Sequence, residues 1–186
     1  MKRIILCLAL IYTATSSYSR NGAVEYAKNN VHKANHNCDT RYDSCTPYAY
    51  FGREHCGYDS HGGNCANFVS QCLVKGGHHP ALKGSSNCRG WPCGFEEVGA
   101  WELGHCLPEK GWKSECGYLK KPPSYIQIGD VLIYHKDSCD GDGHATLITV
   151  AGNNPKITCQ SSELVDQHYN YQSNSKPYYQ WLHYQG

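Results

Sequence analysis

Apolar residues recur at helical spacing near the start of the chain. The apolar positions are Ala23, Val24, Ala27, Val31 and Ala34, and charged residues lie between them. A repeat of about three to four residues places the apolar side chains on one face of an α-helix. The pattern therefore predicts an amphipathic helix that opens the folded part of the chain.

A second helical pattern covers residues 65–75 and has clear start and stop signals. Asn64 precedes the pattern and can cap the first backbone N–H groups, and Gly76 and Gly77 follow it as a stop. The residues on its apolar face are Cys65, Phe68, Val69, Cys72 and Leu73. The spacing predicts a buried helix with Cys65 in its first turn.

The last third of the chain has the pattern of a β-sheet. Four runs of β-branched and aromatic residues are typical of strands, at residues 131–134, 144–150, 156–160 and 178–184. A turn at residues 152–155 joins the second and third runs, so we expect these two strands to be antiparallel. Helices followed by successive hairpin strands indicate the α+β class.

Two stretches without periodicity lie between these elements. Residues 38–60 are rich in Cys, Asp, Tyr and Gly, and we expect a loop held by disulfides. Residues 84–123 carry four cysteines and three tryptophans among many Gly and Pro, which predicts a cysteine-rich, disulfide-held insertion on the surface. We expect residues 20–186 to form one domain, since a chain of 186 residues suits a single core.

The first 19 residues have the pattern of a secretion signal. A basic start at residues 1–3 precedes an apolar run over residues 4–14, and the small residues Ser17 and Ser19 follow it. The run is shorter than the roughly 20 apolar residues that a membrane-spanning helix needs. We therefore expect residues 1–19 to be removed and the mature protein to be secreted and free of the membrane.

The charge balance argues against one class of partner. The chain has 17 Lys and Arg against 16 Asp and Glu, and loss of Lys2 and Arg3 with the signal leaves 15 against 16, a net charge of about −1. Such a balance provides no basic surface for nucleic acid. No segment indicates self-association, so we expect a monomer that binds no nucleic acid.

Cysteine content is the most unusual feature of the composition. Of 12 cysteines, Cys7 leaves with the signal, and the remaining 11 are an odd number. In an oxidising compartment ten of the 11 can pair into five disulfides, which leaves one free thiol. A cysteine on an apolar helix face is by default half of a bridge, and Cys65 and Cys72 are the two candidates for the free thiol.

Metal ions are another common use of cysteine, histidine and aspartate. Zinc sites contain ligand pairs about two to four residues apart, and the nearest two cysteines, Cys88 and Cys93, have no second such pair to match them. Asp137, Asp140 and Asp142 precede a histidine, but their spacing differs from that of a calcium-binding loop. We therefore expect no metal and no cofactor.

Three residues are candidates for a nucleophile, a base and an orienting group. The positive end of a helix favours the thiolate of Cys65, and a nucleophilic thiol needs an imidazole to move its proton. His144 is the best-placed histidine because it lies at the mouth of a predicted strand. The next strand can supply a group that orients the imidazole. We favour Gln160 for this role, and the alternatives are Ser161, Ser162 and Glu163.

Several segments resemble a known family. Residues 64–71 read Asn-Cys-Ala-Asn-Phe-Val-Ser-Gln and resemble the Asp-Cys-Thr-Asn-Phe-Val-Ser-Gln signature of the bacterial "Putative amidase domain". This family is similar to the papain-like peptidoglycan hydrolases of the NlpC and CHAP group. Residues 20–27 resemble the family's first helix, and residues 47–52 resemble the segment ahead of the nucleophile in the NlpC branch. Residues 129–134 and 143–148 resemble the Gly-Asp strand and the strand of the catalytic histidine.

The resemblance implies a fold and a role for each candidate residue. It implies a papain-like α+β fold in which N-terminal helices, with the nucleophile helix among them, pack on an antiparallel sheet. By the same resemblance Cys65 is the nucleophile, His144 is the general base and acid, and Tyr48 is a hydroxyl donor to the oxyanion. The chain departs from the signature at Asn64, where the family has Asp, and at the third catalytic position.

The implied activity is hydrolysis of an amide bond in bacterial peptidoglycan by a secreted cysteine amidase or peptidase. Peptidoglycan is then the expected partner, as substrate. The alternative, from a different class, is a secreted, disulfide-rich binding protein that keeps the same fold without catalysis. A disulfide at Cys65 distinguishes the two, because it removes the nucleophile.

Overall fold

The structure, a computed structural model, describes residues 17–32, 65–82, 88, 99–141, 143–160 and 163–186. Within these residues the chain is α+β, as predicted, and no helix there is both long and apolar enough to cross a bilayer. The helices are α1 (Arg20–Asn30), α2 (Cys65–Gln71), which continues into the π-helical turn Cys72–Gly76, and α3 (Ala100–Glu109). The strands are β1 (Trp112–Tyr118), β2 (Val131–His135), β3 (Gly143–Val150), β4 (Lys156–Cys159), β5 (Leu164–His168) and β6 (Tyr178–Tyr184).

The six strands form one antiparallel sheet with the order β1-β6-β2-β3-β4-β5. The predicted strands are confirmed as β2, β3, β4 and β6, and β3 and β4 are antiparallel as expected. The edge strands β1 and β5 are additional. Since β3 pairs with β2 on one side and β4 on the other, residues at the start of β3 lie near the middle of the sheet.

Side chains alternate between the two faces of the sheet and build two hydrophobic clusters. The cluster on the helix side contains Ala145 and Leu147 of β3 together with buried residues of all three helices. The cluster on the opposite face includes Leu132, Tyr134, Ile148, Ile157, Cys159 and Trp181. Helix α2 packs on β3 and β4, so its first residue lies beside the paired ends of these strands.

Two residues just before α1 belong to the folded core. Tyr18 is buried, and its hydroxyl donates to the carbonyl of Gly129 at 2.6 Å. Ser19 caps α1, because its Oγ accepts a hydrogen bond from the N–H of Gly22 at 3.1 Å. The predicted opening helix is therefore confirmed as α1, and it starts with a cap from the segment we assign to the signal.

The region predicted as a surface insertion, residues 84–123, is integral to the fold where the structure describes it. Residues 100–109 form α3, whose Leu103 and Leu107 are buried in the helix-side cluster. Residues 112–118 form β1, which pairs with β6 over its full length. The prediction of a surface excursion is wrong for this part of the region. Pro108 lies in the last turn of α3, where a proline ends a helix without preventing it.

The prediction of five disulfides and one free thiol is also wrong. Two disulfides join described cysteines, Cys88–Cys106 and Cys116–Cys139. Three described cysteines are buried and unpaired, namely Cys65, Cys72 and Cys159. With three free thiols, at most eight of the 11 cysteines expected after signal removal can pair. An odd count requires an odd number of free thiols, and three satisfy this requirement as well as one.

Candidate functional site

Helix α2 carries Cys65 at its first position and is buried along its whole length. Its polar residues are satisfied by hydrogen bonds: Gln71 donates from Nε2 to Asn67 Oδ1 at 2.6 Å and accepts from the hydroxyl of Tyr26 in α1 at 3.1 Å. These bonds allow polar side chains to lie in the core at low cost. They also fix α2 against α1, and this fixes the position of Cys65.

Two glycines bring α1 and the π-helical turn into direct backbone contact. A Cβ atom on Gly22 would lie 2.3 Å from the carbonyl oxygen of Gly76, and one on Gly76 would lie 2.4 Å from Tyr26 Cβ. No side chain fits at either position. The predicted glycine stop after the second helix is confirmed, and the close contact explains why glycine occurs there.

The Cys65 thiol lies next to the backbone of β3. Burial raises its pKa, and hydrogen bonds from backbone N–H groups, chiefly that of Ala145, partly oppose this rise. The N–H groups of Ala66 and of Cys65 itself act in the same direction, as expected at the first turn of a helix. The side chain is 5% exposed. Cys65 is thus a protonated thiol surrounded by N–H groups that favour its thiolate.

His144 lies in β3 directly before Ala145 and opposite Tyr134 of β2. Its ring stacks on Tyr134 with centroids 6.2 Å apart and an interplanar angle of 18°, and the ring of Tyr171 approaches it edge-on at 6.4 Å. Burial lowers the pKa of His144 to about 3, and the Lys176 charge acts in the same direction. The imidazole is therefore neutral at physiological pH.

The hydrogen-bond partner of the His144 ring is Cys159, in the adjacent strand β4. The Cys159 Sγ lies 3.3 Å from His144 Nε2 and 3.7 Å from the hydroxyl oxygen of Tyr171. Gln172 Nε2 in turn donates to the Tyr171 hydroxyl at 3.1 Å. Burial raises the pKa of Cys159 to about 12, so its thiol is protonated. The four side chains form a continuous polar chain at one end of the sheet.

The structure places the predicted orienting residue, Gln160, elsewhere. Its Nε2 donates to the carbonyls of Asn30 and Val31, at 3.0 and 3.1 Å, where α1 ends. Both Gln160 and His144 are described, and no hydrogen bond joins them. Cys159, and not Gln160, is hydrogen-bonded to the imidazole, because successive side chains of an extended chain point to opposite faces.

Of the remaining candidate residues, the structure describes only Glu163. Glu163 is an exposed residue whose carboxylate lies 3.6 Å from His32 Nδ1. Tyr48, Asn64, Ser161, Ser162 and the predicted loop at 38–60 lie outside the described residues.

Cys65 and His144 are neighbours but are not hydrogen-bonded to each other. The thiol contacts the N–H of Ala145, and the imidazole Nε2 contacts Cys159, which leaves the His144 Nδ1 as the nitrogen available to Cys65. That these two residues form one site stays a prediction. Their direct contact requires a change in the position of one side chain.

A cation near the site is supplied by Lys176, which precedes β6. Its charge lowers the pKa of Cys65, of His144 and of Cys159. Among the described residues no carboxylate forms an ion pair with Lys176. Sequence reasoning did not identify Lys176 or Cys159, since neither lies in a motif, and only the pairing of β3 with β4 brings Cys159 to the ring.

The aspartates before β3 are potential metal ligands by residue type. Asp140 lies 3.5 Å from His105 Nε2, and Asp142 lies outside the described residues. In the ranges that the structure describes, no three or more His, Cys, Asp or Glu side chains come together as a metal-binding group.

The fold and the site define an α+β protein with an unpaired thiol and a neutral imidazole next to each other on a helix and a sheet. The chain belongs to the family described as "Putative amidase domain", whose sequence model matches residues 17–184. It is also 25% identical, over 169 residues and 85% of its length, to "Uncharacterized protein YhbB" of Bacillus subtilis (strain 168). The chain spans 46% of the length of that relative. No solved structure matches the chain.

Proposed function

We propose that this protein is a secreted cysteine hydrolase with a papain-like fold of the NlpC and CHAP group, and that it cleaves an amide bond in bacterial peptidoglycan. The observation that carries the proposal is the unpaired Cys65 thiol at the first turn of α2, beside the backbone N–H that follows His144. Membership of an amidase family supports amide hydrolysis as the reaction. The resemblance of residues 64–71 to the family signature supports Cys65 as the nucleophile.

The proposed reaction begins with transfer of the Cys65 proton to His144 Nδ1. The thiolate attacks the carbonyl carbon of the scissile amide, and the oxyanion that forms is stabilised by backbone N–H groups at the start of α2 and by the Tyr48 hydroxyl. The imidazolium then returns its proton to the leaving nitrogen as the C–N bond breaks. Water hydrolyses the thioester, which releases a carboxylate and restores the Cys65 thiol.

The neutral resting state of the pair is compatible with this sequence of steps. Burial disfavours both the thiolate and the imidazolium, so the two charges form together and only when substrate is present. The N–H groups around Cys65 offset part of the cost of the thiolate. The reaction therefore requires the His144 ring or the Cys65 side chain to move into hydrogen-bond contact.

A binding protein without catalysis is the second candidate function. The observation in its favour is that no hydrogen bond joins Cys65 and His144, both of which are described and almost fully buried. The disulfide at Cys65 that would have supported this alternative is not formed, since Cys65 is unpaired. Catalysis is therefore the function we favour.

The experiment compares the wild type with Cys65→Ala on purified bacterial sacculi, with released fragments identified by mass spectrometry. Cys72→Ala is the matched control, because Cys72 is also unpaired and buried and lies on the same helical segment. We expect cleavage by the wild type and the control and none by Cys65→Ala. The fragment masses identify the bond.

Two results contradict the proposal in different ways. Binding of sacculi without release of fragments, by the wild type and by Cys65→Ala alike, supports the binding protein. Release of fragments by Cys65→Ala shows that the hydrolysis does not depend on this cysteine.

A further inference from the structure

The hydrogen-bond partner of the His144 ring is unusual. It is a buried thiol, whereas an amide or a carboxylate is the group expected to orient a catalytic imidazole. Cys159 Sγ lies 3.3 Å from His144 Nε2, and the side chain of Cys159 is fully buried. Its sequence neighbour Gln160, the amide that could have taken this place, donates to the end of α1 instead. Cys159 itself forms no disulfide. These facts leave a free thiol whose side-chain hydrogen bonds lie within the candidate site, and the backbone N–H of Leu164 also donates to its Sγ.

The residues behind Cys159 are donors to its Sγ, so the sulfur acts as an acceptor there. The Tyr171 oxygen accepts from Gln172 Nε2 at 3.1 Å, so the hydroxyl hydrogen of Tyr171 is free to point at Cys159 Sγ, 3.7 Å away. Sulfur is a weak acceptor with more than one lone pair, and it can also accept from the Nε2–H of His144. In that arrangement the Nδ1 of His144 carries the lone pair.

We propose that Cys159 is a positioning residue for His144: its Sγ accepts the Nε2–H, fixes the ring and its tautomer, and leaves the Nδ1 lone pair as the base of the proposed Cys65 and His144 pair. This inference rests on the proposed Cys65 and His144 function. The thiol holds the imidazole in the way the third member of a catalytic triad does, but it adds no negative charge. The resulting base is neutral, with Tyr134, Tyr171, Lys176 and Cys65 as the other titratable groups around it.

The test replaces Cys159 by Ala, which removes the acceptor, and by Ser, which keeps one. We expect Cys159→Ala to lower kcat on sacculi by about tenfold or more with KM unchanged, a part of the roughly 10²- to 10⁴-fold that general acid–base catalysis contributes. Cys159→Ser should recover most of the loss. Cys72→Ala is again the matched control, since Cys72 is equally buried and unpaired, and its activity should remain that of the wild type.

A second measurement reports on the ring independently of activity. In ¹⁵N spectra of histidine-labelled protein, we expect wild-type His144 to carry its proton on Nε2, and Cys159→Ala to produce a mixture of tautomers. Cys159→Ser and Cys72→Ala should retain the wild-type tautomer. These spectra can be recorded even if the protein cleaves nothing, so a failure of the proposed hydrolysis is distinguishable from a failure of this inference.

Two results overturn the inference. A wild-type spectrum with the proton on Nδ1 shows that Cys159 donates to the ring and that Nδ1 is no base. If Cys159→Ala and Cys159→Ser lose the same activity, and lose it in proportion to their melting temperatures, Cys159 serves packing alone. Cys159→Ser, the closest in size, decides the question if Cys159→Ala does not fold.

Discussion

Burial holds three titratable side chains at the centre of the candidate site in their neutral forms. Burial raises the pKa of Cys65 and of Cys159 and lowers the pKa of His144. A nucleophilic thiolate therefore depends on local stabilisation, which backbone N–H groups and the Lys176 charge provide. Lys176 is the only one of these contributors that a side-chain substitution can remove.

We expect Lys176→Met to raise the pKa of Cys65, because the substitution removes a positive charge that favours the thiolate. The rate at which Cys65 is alkylated by iodoacetamide should then fall at every pH below the thiol pKa, and the pH profile should move to higher pH. Peptide mass spectrometry of the Cys65 peptide over a range of pH measures this shift. The methionine keeps most of the length and apolar contact of the lysine.

The control for this prediction is Lys136→Met, which removes an exposed lysine that follows β2. The pH profile of Cys65 alkylation in this variant should match that of the wild type. An unchanged profile in Lys176→Met, or an equal shift in both variants, means that the Lys176 charge does not reach the thiol.

At the scale of elements, α1 is joined to the sheet by residues at and before its start. Tyr18 packs against the rings of Tyr184, Trp112 and His79, with centroids 4.9, 5.7 and 5.8 Å away. Arg20 pairs with the buried carboxylate of Asp130. A signal boundary after Ser19 would remove the Tyr18 ring and the Ser19 cap from the folded protein.

We therefore expect a chain that begins at Arg20 to be less stable than one that begins at Ser17. Loss of a buried aromatic side chain costs about 3 to 5 kcal/mol, and loss of a serine cap costs about 1 kcal/mol. Urea unfolding of the two chains measures the difference. N-terminal sequencing of the proposed secreted form should find its first residue at or before Tyr18, and equal stability of the two chains would contradict the prediction.

The elements that the sequence predicts correctly have strong local signals, and the missed ones depend on distant partners. The α2 segment has its glycine stop, and β2, β3, β4 and β6 have dense β-branched or aromatic residues. Strand β1 is instead half polar, with the pattern Lys-Ser-Glu-Cys-Gly, and it is a strand because β6 pairs with it.

The same distinction applies to the site. The positions of Cys65 at a helix start and of His144 at a strand start follow from local features. Which residue contacts the imidazole depends on the face of the sheet to which each side chain at the end of β4 points. A shift of one residue exchanges Gln160 for Cys159. Periodicity alone does not fix that register at the end of a short strand.

At the scale of the whole molecule, the site combines parts of the chain that are far apart in sequence. Cys65 comes from α2, His144 from β3, Cys159 from β4, and Tyr171 and Lys176 from the segment before β6. Only the assembled sheet and helices bring these groups together, so the chemistry of the site and the stability of the fold depend on the same contacts. Protonation of a buried group is one change that affects both.

Acid should destabilise the protein through His144. Its pKa is about 3 in the folded state, against about 6.5 for an unperturbed histidine, so between these two values the unfolded chain binds a proton that the folded protein does not. Its contribution to stability is therefore complete above about pH 6.5 and is lost as the pH falls towards 3. The slope for one such group approaches about 1.4 kcal/mol per pH unit. His79 acts in the same direction, since burial lowers its pKa as well.

Thermal or urea unfolding at a series of pH values tests this for wild type and His144→Gln. We expect the free energy of unfolding of the wild type to decline more steeply below pH 6.5 than that of His144→Gln, because glutamine has no proton to gain. The comparison cancels the other histidines, which the two proteins share. Parallel curves would mean that the folded protein accommodates a charged imidazole at this position, and the mechanism would then have to start from an imidazolium rather than from a neutral base.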